Sequence, residues 1–323
     1  MRNARRRSYK GTSTKAIVRQ YDFLGSFYSL ALGPELVYSY AMWEDGDTLE
    51  SAQLRKLDYH AEAVNAAGRV LDIGCGWGSL MRRLVENHHA EHVVGITMSP
   101  SQAAWVRGQN WPGCEARVEN WYDHRPDARY DAITAIEAIE HFAGNTMWRA
   151  KRVARYREFF ERCHSWLRPA GRLSIQANTW HDRGWLAALL LPPQKLAAQD
   201  PGHARAHRGH RHSLPQAARI GAGNIREGLH ASRKVFPEMF LPTRAEITEA
   251  SQGLFTLVQA RRDPDDGAYT IQAWLERLEA KRTRGAELIG AQAVSDLIRE
   301  QRTALRFHRE RRIGVVRMVF EKA

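Results

Sequence analysis

Nine residues constrain this protein more than any others: VLDIGCGWG, Val70–Gly78. A short apolar run ends in Asp72. Gly74, Gly76 and Gly78 follow at every second position, and a helical pattern starts at Ser79. Glycines permit a tight strand-to-helix turn and a close approach of backbone to ligand. The helix N-terminus adds free N–H groups and a positive dipole end. Such a turn belongs to a parallel α/β sheet, and the flanking sequence repeats the alternation. Apolar strand candidates lie at 69–73, 92–98, 130–136, 172–177, 254–261 and 315–321. Helical spacing of apolar groups marks 14–32, 48–66, 79–87, 101–109, 149–167, 243–251, 271–284 and 290–306, with Thr48 as a cap for the second.

The spacing of the glycines selects among ligands. A dinucleotide site reads GxGxxG with its acid about 20 residues further on. Here the acid comes two residues before the first glycine. A carboxylate at the strand end suits the ammonium of S-adenosylmethionine (SAM).

Charge is concentrated. The sequence holds 48 Lys plus Arg and 36 Asp plus Glu, a net +12. Residues 1–20 contribute seven basic groups and no acid; residues 181–244 contribute ten basic groups and four acids. The rest is nearly neutral, so the expected partner of these two segments is a local anion, such as a lipid headgroup or a phosphorylated substrate. The basic segments lack interleaved aromatics, which argues against nucleic acid. The division expected is a basic arm over 1–13, N-terminal helices and a cofactor core over 14–180, a basic insertion or lid over 181–242, and a return to the same α/β domain over 243–323. The longest apolar run, Trp185 to Leu191, is too short to cross a membrane. Three cysteines, and no apolar segment after the basic N-terminus, point to the cytoplasm, with peripheral contact to an anionic membrane. His203, His207, His210 and His212 have no acidic or thiol partner nearby, so no metal is expected. Arg205, Arg208 and Arg211 suit phosphate pairing. A homo-oligomer is compatible with the sequence.

Several segments resemble the SAM-dependent cyclopropane fatty acid synthases and mycolic acid cyclopropane synthases. They are YSYAMWEDGDTLESAQLRKLD (38–58), VLDIGCGWGSLMRRL (70–84), VVGITMSPSQAAWV (93–106), IEHF (139–142) and VFPEMFLPT (235–243). The resemblance implies a doubly wound, mostly parallel seven-stranded sheet of the class I methyltransferase type. It also implies positions for SAM: Tyr38 and Ser39 at the methionine end, Gly74, Gly76 and Gly78 along the nucleoside, Thr97 and Gln102 at the ribose, Trp121 over the adenine and Ile136 near the sulfonium. Trp121 is also readable as a core aromatic.

SAM supplies an electrophilic methyl group. If the acceptor is an alkene, its attack leaves a carbocation on the neighbouring carbon. Aromatic faces stabilise such a cation by about 0.5–2 kcal/mol each, and Tyr38, Tyr40, Trp43, Phe142, Trp180 and Tyr269 supply them. A base must then remove a proton. Glu137 and Glu140 lie three apart, facing one side if helical. Glu140 matches the family's active-site glutamate, whereas Glu137 reads as a solvated or capping group. The family holds a bicarbonate as base, cradled by a Cys, a His, a Glu and a Tyr. Here Tyr40 replaces the Cys and Gln176 the His, Glu140 is kept, and Tyr269 is about two residues out of register. Tyr40 would fill the bicarbonate volume, while Gln176 retains a donor for it. The expectation is therefore a SAM-dependent C-methyltransferase acting on a carbon–carbon double bond of a lipid or isoprenoid, with bicarbonate in doubt and Glu140, Tyr40 and Tyr269 as catalytic groups. The alternative is a cyclopropane-fatty-acyl-phospholipid synthase, and a nucleic-acid methyltransferase ranks third.

Overall fold

The computed structural model describes residues 11–18, 21, 22, 25–184 and 238–323. Most of the arm and most of the basic insertion, including the 200–213 His/Arg stretch, lie outside the described residues.

Within the stretch of helical spacing at 14–32 lie two described helices, α1 (Thr14–Val18) and α2 (Gly25–Leu32). Helix α3 (Leu49–Ala63) starts at Thr48, whose hydroxyl accepts from Ser51 N at 3.2 Å while Ser51 Oγ accepts from Thr48 N at 3.0 Å. This reciprocal cap satisfies two otherwise orphaned donors. The α/β alternation follows: β1 (Gly68–Ile73), α4 (Ser79–His88), β2 (Ala90–Thr97), α5 (Pro100–Gln109), β3 (Cys114–Val118), β4 (Tyr130–Ile136), a single 3-10 turn (Ile139–His141), α6 (Arg149–Trp166) and β5 (Leu167–Trp180). After the insertion come α7 (Arg244–Ser251), β6 (Phe255–Asp263), α8 (Asp266–Ala280), α9 (Arg282–Ile289), α10 (Ala291–Arg309) and β7 (Ile313–Lys322).

The seven strands form one sheet in the order β3-β2-β1-β4-β5-β7-β6. Strands β1 to β5 are parallel, and β7 runs antiparallel between β5 and β6. Alternate strand residues face opposite helix layers. Leu71, Ile73, Ile133 and Ile175 pack against Tyr156, Phe159 and Phe160 of α6. Val70, Val93 and Ala132 pack against Leu57 of α3, Leu80, Met81 and Leu84 of α4 and Val106 of α5. Both faces are covered, which is why β1, β2 and β4 read as near-continuous apolar runs. Each such side chain contributes about 1.5–3 kcal/mol by leaving water. A third cluster joins Phe27 and Tyr28 of α2 to Ile271 and Trp274 of α8 and Leu297 and Ile298 of α10.

Strand order reverses between β1 and β4, so the strand ends there leave a crevice. This is the doubly wound fold of class I methyltransferases.

Candidate active site

That crevice is a cleft open to solvent at its mouth. At its floor, Asp72 lies opposite Thr134 in the β1/β4 register, and the Thr134 hydroxyl donates to Asp72 Oδ1 at 2.8 Å. Burial pushes the Asp72 carboxyl up to about 6, against the opposing pull of Thr134 and the Lys56 ammonium. Tyr38, Ser39, Gly74, Gly76 and Ile136 line the same end. Gly76 sits at φ +56°, and a Cβ there would meet nothing within 4 Å, so its backbone faces open cleft. Gly78, at φ +83°, does something else: a Cβ would come within 2.8 Å of Val106 and 2.9 Å of Trp111. It seats α4 against α5, and the structure does not bring it to the cleft.

At the far end, the Thr97 hydroxyl donates to Gln102 Oε1 at 2.7 Å and accepts from Ser99 N at 3.1 Å. Ser99 caps α5 by accepting from Gln102 N at 3.2 Å. Asp22 accepts from the Ser99 and Ser101 hydroxyls at 2.5 and 2.6 Å, tying the N-terminal segment to this corner. Trp121 lines the cleft and also packs on Phe142 at 4.8 Å, so it is core residue and cleft wall together.

Lys56 was not singled out from sequence. It is wholly buried, lines the cleft and donates to Ser39 Oγ at 2.7 Å. Desolvation lowers it to about 7, against the attraction of Glu137 and Asp72. Its signal was present: Gln53, Lys56 and His60 form a stripe at spacings of three and four on α3, and all three are buried. Polar residues at core positions need partners.

The two glutamates part company. Residue 137 adopts φ +50°, and the backbone then enters a 3-10 turn. Glu137 therefore reaches the cleft, where its Oε1 accepts from Tyr40 N at 2.8 Å and from Gln176 Nε2 at 2.7 Å. It is half-buried in the cleft and caps no helix, which corrects the sequence expectation of a solvated or capping group. Glu140 turns away from the cleft lining. Its Oε1 accepts from Asn178 N at 2.6 Å, and its Oε2 is buried with no hydrogen-bond partner. Burial, then the Glu137 charge, raises Glu140 to about 8. Gln176 is saturated: Nε2 also donates to Tyr40 O at 2.8 Å, while Oε1 accepts from Arg317 Nε at 2.8 Å. Arg317, fully buried on β7, is held by Asp263, by Asp266 Oδ2 at 2.7 Å and by Ala41 O at 2.9 Å. The expectation that Gln176 keeps a donor for bicarbonate therefore fails, because both of its N–H groups are committed.

Tyr40 stands edge-on to His308, ring centroids 4.9 Å apart, and 5.8 Å from Trp274; Tyr38 stacks on Trp274 at 5.4 Å and on Tyr28 at 4.5 Å. These rings form an aromatic stack of which Tyr38 is the member that lines the cleft. Tyr269 is not part of it. It is 41% exposed and packs on Trp43 at 6.1 Å, so the structure does not bring it to Glu140.

Comparisons with known proteins agree with this geometry. The profile of the family described as mycolic acid cyclopropane synthetase matches residues 8–299. The SAM-dependent methyltransferase UmaA of Mycobacterium tuberculosis is 27% identical over 277 residues, 83% of either protein. Cyclopropane mycolic acid synthase 3 of the same species is 37% identical over 163 residues, 48% of this protein and 53% of that one, so the match spans about half the length of this relative. The solved cyclopropane synthase MmaA2 from Mycobacterium tuberculosis superposes with a TM-score of 0.78 at 25% identity, covering 97% of this protein and 99% of that one. CmaA1 complexed with S-adenosylhomocysteine (SAH) and CTAB superposes equally well, at 24% identity and with the same coverage. With the fold, the cleft and the profile in agreement over most of its length, the chain belongs to the mycolic acid cyclopropane synthetase family and is a SAM-dependent methyltransferase.

Proposed function

We propose that this enzyme transfers the methyl group of SAM to a carbon–carbon double bond in a lipid, and that ring closure to a cyclopropane follows. The observation that carries the reading is Tyr38, which lines the cleft that holds Asp72 and is backed by the rings of Tyr28, Trp274 and Tyr40. An O- or N-methyltransferase needs polar groups to orient a heteroatom; an alkene needs a dry, electron-rich surface that tolerates a transient cation. Bound SAM supplies the methyl on positive sulfur. Asp72 accepts from its ammonium, Ser39 and Lys56 flank the methionine end, Thr97 and Gln102 meet the ribose, and Trp121 covers the adenine. The names of the relatives support ring closure, the alternative in the sequence reading, over C-methylation without a ring. Methylation that leaves an alkene in a lipid or isoprenoid stands second, and the replacement of the bicarbonate cradle at Tyr40 and Gln176 favours it.

Tyr38, which lines the cleft, is the ring placed to stabilise the cation. The basic arm and insertion would meet anionic headgroups, bringing the protein to the membrane surface; no described helix is long and apolar enough to cross it. The test is incubation with methyl-labelled SAM and separate vesicles of monounsaturated phospholipid, free unsaturated fatty acid or polyisoprenoid lipid. A gain of one CH2 unit, with cyclopropane protons by NMR, is expected. Label found only on oxygen or nitrogen, or on no lipid, would refute it.

A further inference from the structure

Glu137 is a cleft-lining carboxylate that SAM binding leaves without a task. Its backbone is held at φ +50°, in the left-handed region that is costly for a residue with a side chain. That conformation is what turns the carboxylate into the cleft beside Ile136.

The hydrogen bonds around it run in one direction. Arg317 can only donate, so Gln176 must present its oxygen to Arg317 and its nitrogen to Glu137. Arg317 is itself fixed by Asp263, Asp266 and the Ala41 carbonyl. Tyr40 offers its backbone N–H to the same Glu137 oxygen. Positions 40 and 176 are the two at which the residue differs from a bicarbonate cradle, and each gives one hydrogen to Glu137: the backbone N–H at 40 and one amide N–H of Gln176. The residues present do not fit a free bicarbonate, since a carboxylate already takes up the donors.

We propose that Glu137 is the catalytic base, a carboxylate built into the protein that does the work of an external bicarbonate. The proposal rests on the carbocation reading above. Methyl transfer forms a carbon–carbon bond and leaves the electron pair of the old methyl–sulfur bond on sulfur. The neighbouring carbon becomes cationic. Glu137 then takes a proton from the new methyl, and the C–H electron pair closes the ring; loss of a proton from a lipid carbon next to the cation instead gives an alkene. The electrostatics of the pair agree. Burial raises both carboxyls, and the charge on Glu137 raises Glu140 further. The hydrogen bonds from Tyr40 and Gln176 and the charges of Lys56 and Arg317 pull Glu137 the other way, toward its anionic form.

Two variants test this. Glu137→Gln should bind SAH within about threefold of wild type by calorimetry but lose turnover at least about a hundredfold, the usual range for a general base. Glu137→Gly should fold well, because glycine adopts φ +50° without strain, and should lose turnover that millimolar formate or bicarbonate restores. Wild-type turnover should be unchanged in buffer freed of carbon dioxide. The assignment is overturned if Glu137→Gln keeps more than about a tenth of wild-type turnover, if neither anion restores Glu137→Gly, or if wild type needs added bicarbonate. If wild type itself methylates no unsaturated lipid, the proposed function fails and this inference with it; methylation by wild type and Glu137→Gln alike refutes the base alone.

Discussion

Replacing Arg317 by Met removes a buried guanidinium while filling much of its volume. Four acceptors lose a donor at once: Asp263, Asp266 Oδ2, Ala41 O and Gln176 Oε1. Removing one partner of a buried ion pair costs about 3–5 kcal/mol, because the remaining charge is left without compensation. Asp266 is 6% exposed, and burial holds it up at about 6 even with Arg317 beside it. Without the cation it must rise further. A carboxyl raised in the native state above its unfolded value of 3.8 keeps a proton that the unfolded protein releases. Stability is then fully present below the unfolded value and lost as pH rises through the native one. The loss in Arg317→Met should therefore be largest at pH values of about 8 and clearly smaller at about 5. Urea denaturation at the two pH values measures it, provided the slope is unchanged. Adding Asp266→Asn should recover at least about 1 kcal/mol at the higher pH by removing the stranded charge. A loss under about 1 kcal/mol, or an equal loss at both pH values, would show that Arg317 does not compensate these carboxylates.

Three further outcomes follow from the same geometry. Asp72→Asn should weaken SAH binding by about 10- to 100-fold, the value of a charge-assisted hydrogen bond of about 1.5–3 kcal/mol. In wild type the affinity should fall as pH drops through about 6, where Asp72 takes up a proton, and the variant should lack that dependence in calorimetry. Gly78→Ala should destabilise by about 1–3 kcal/mol in thermal melts, since its Cβ would meet Val106 and Trp111 and its φ is +83°. Lys56→Met should raise the melting temperature more at pH near 6 than near 9. The folded state must bury a charged ammonium below about 7, while the unfolded protein stays charged up to its ordinary 10.5.

Much of the fold was legible because both faces of the sheet are covered. Strands β1, β2 and β4 are mainly apolar runs, and β1 and β2 are followed by a glycine turn or a helix cap. Strand β3 escaped notice because, at the sheet edge, only Ala116 of its five residues is buried. An edge strand needs no apolar run. That β7, last in sequence, inserts antiparallel between β5 and β6 has no local signal at all. Strand direction and neighbour order are set by which edges remain open, a property of the assembled sheet.

The same distinction divides the site. Asp72, Gly76, Thr97 and Gln102 were legible because their work is local: a strand end, a turn and a helix start hold them within a few residues of one another. Glu137 and Glu140 would face one side only if helical, and the condition is not met: a left-handed residue followed by a 3-10 turn sends their side chains to different places. Whether a bicarbonate can bind turns on which way the Gln176 amide points. That is decided by Arg317, 141 residues further on, and Arg317 is in turn fixed by Asp263, Asp266 and a backbone carbonyl from the segment before α3. In sequence, a Gln in place of a His reads as a weakened anion site. In the fold, the same Gln is one link in a series of donors that ends on Glu137. The substitution thus removes a site for a free anion and positions a carboxylate in the same act, and only the long-range pairing of β5 with β7 makes the two events one.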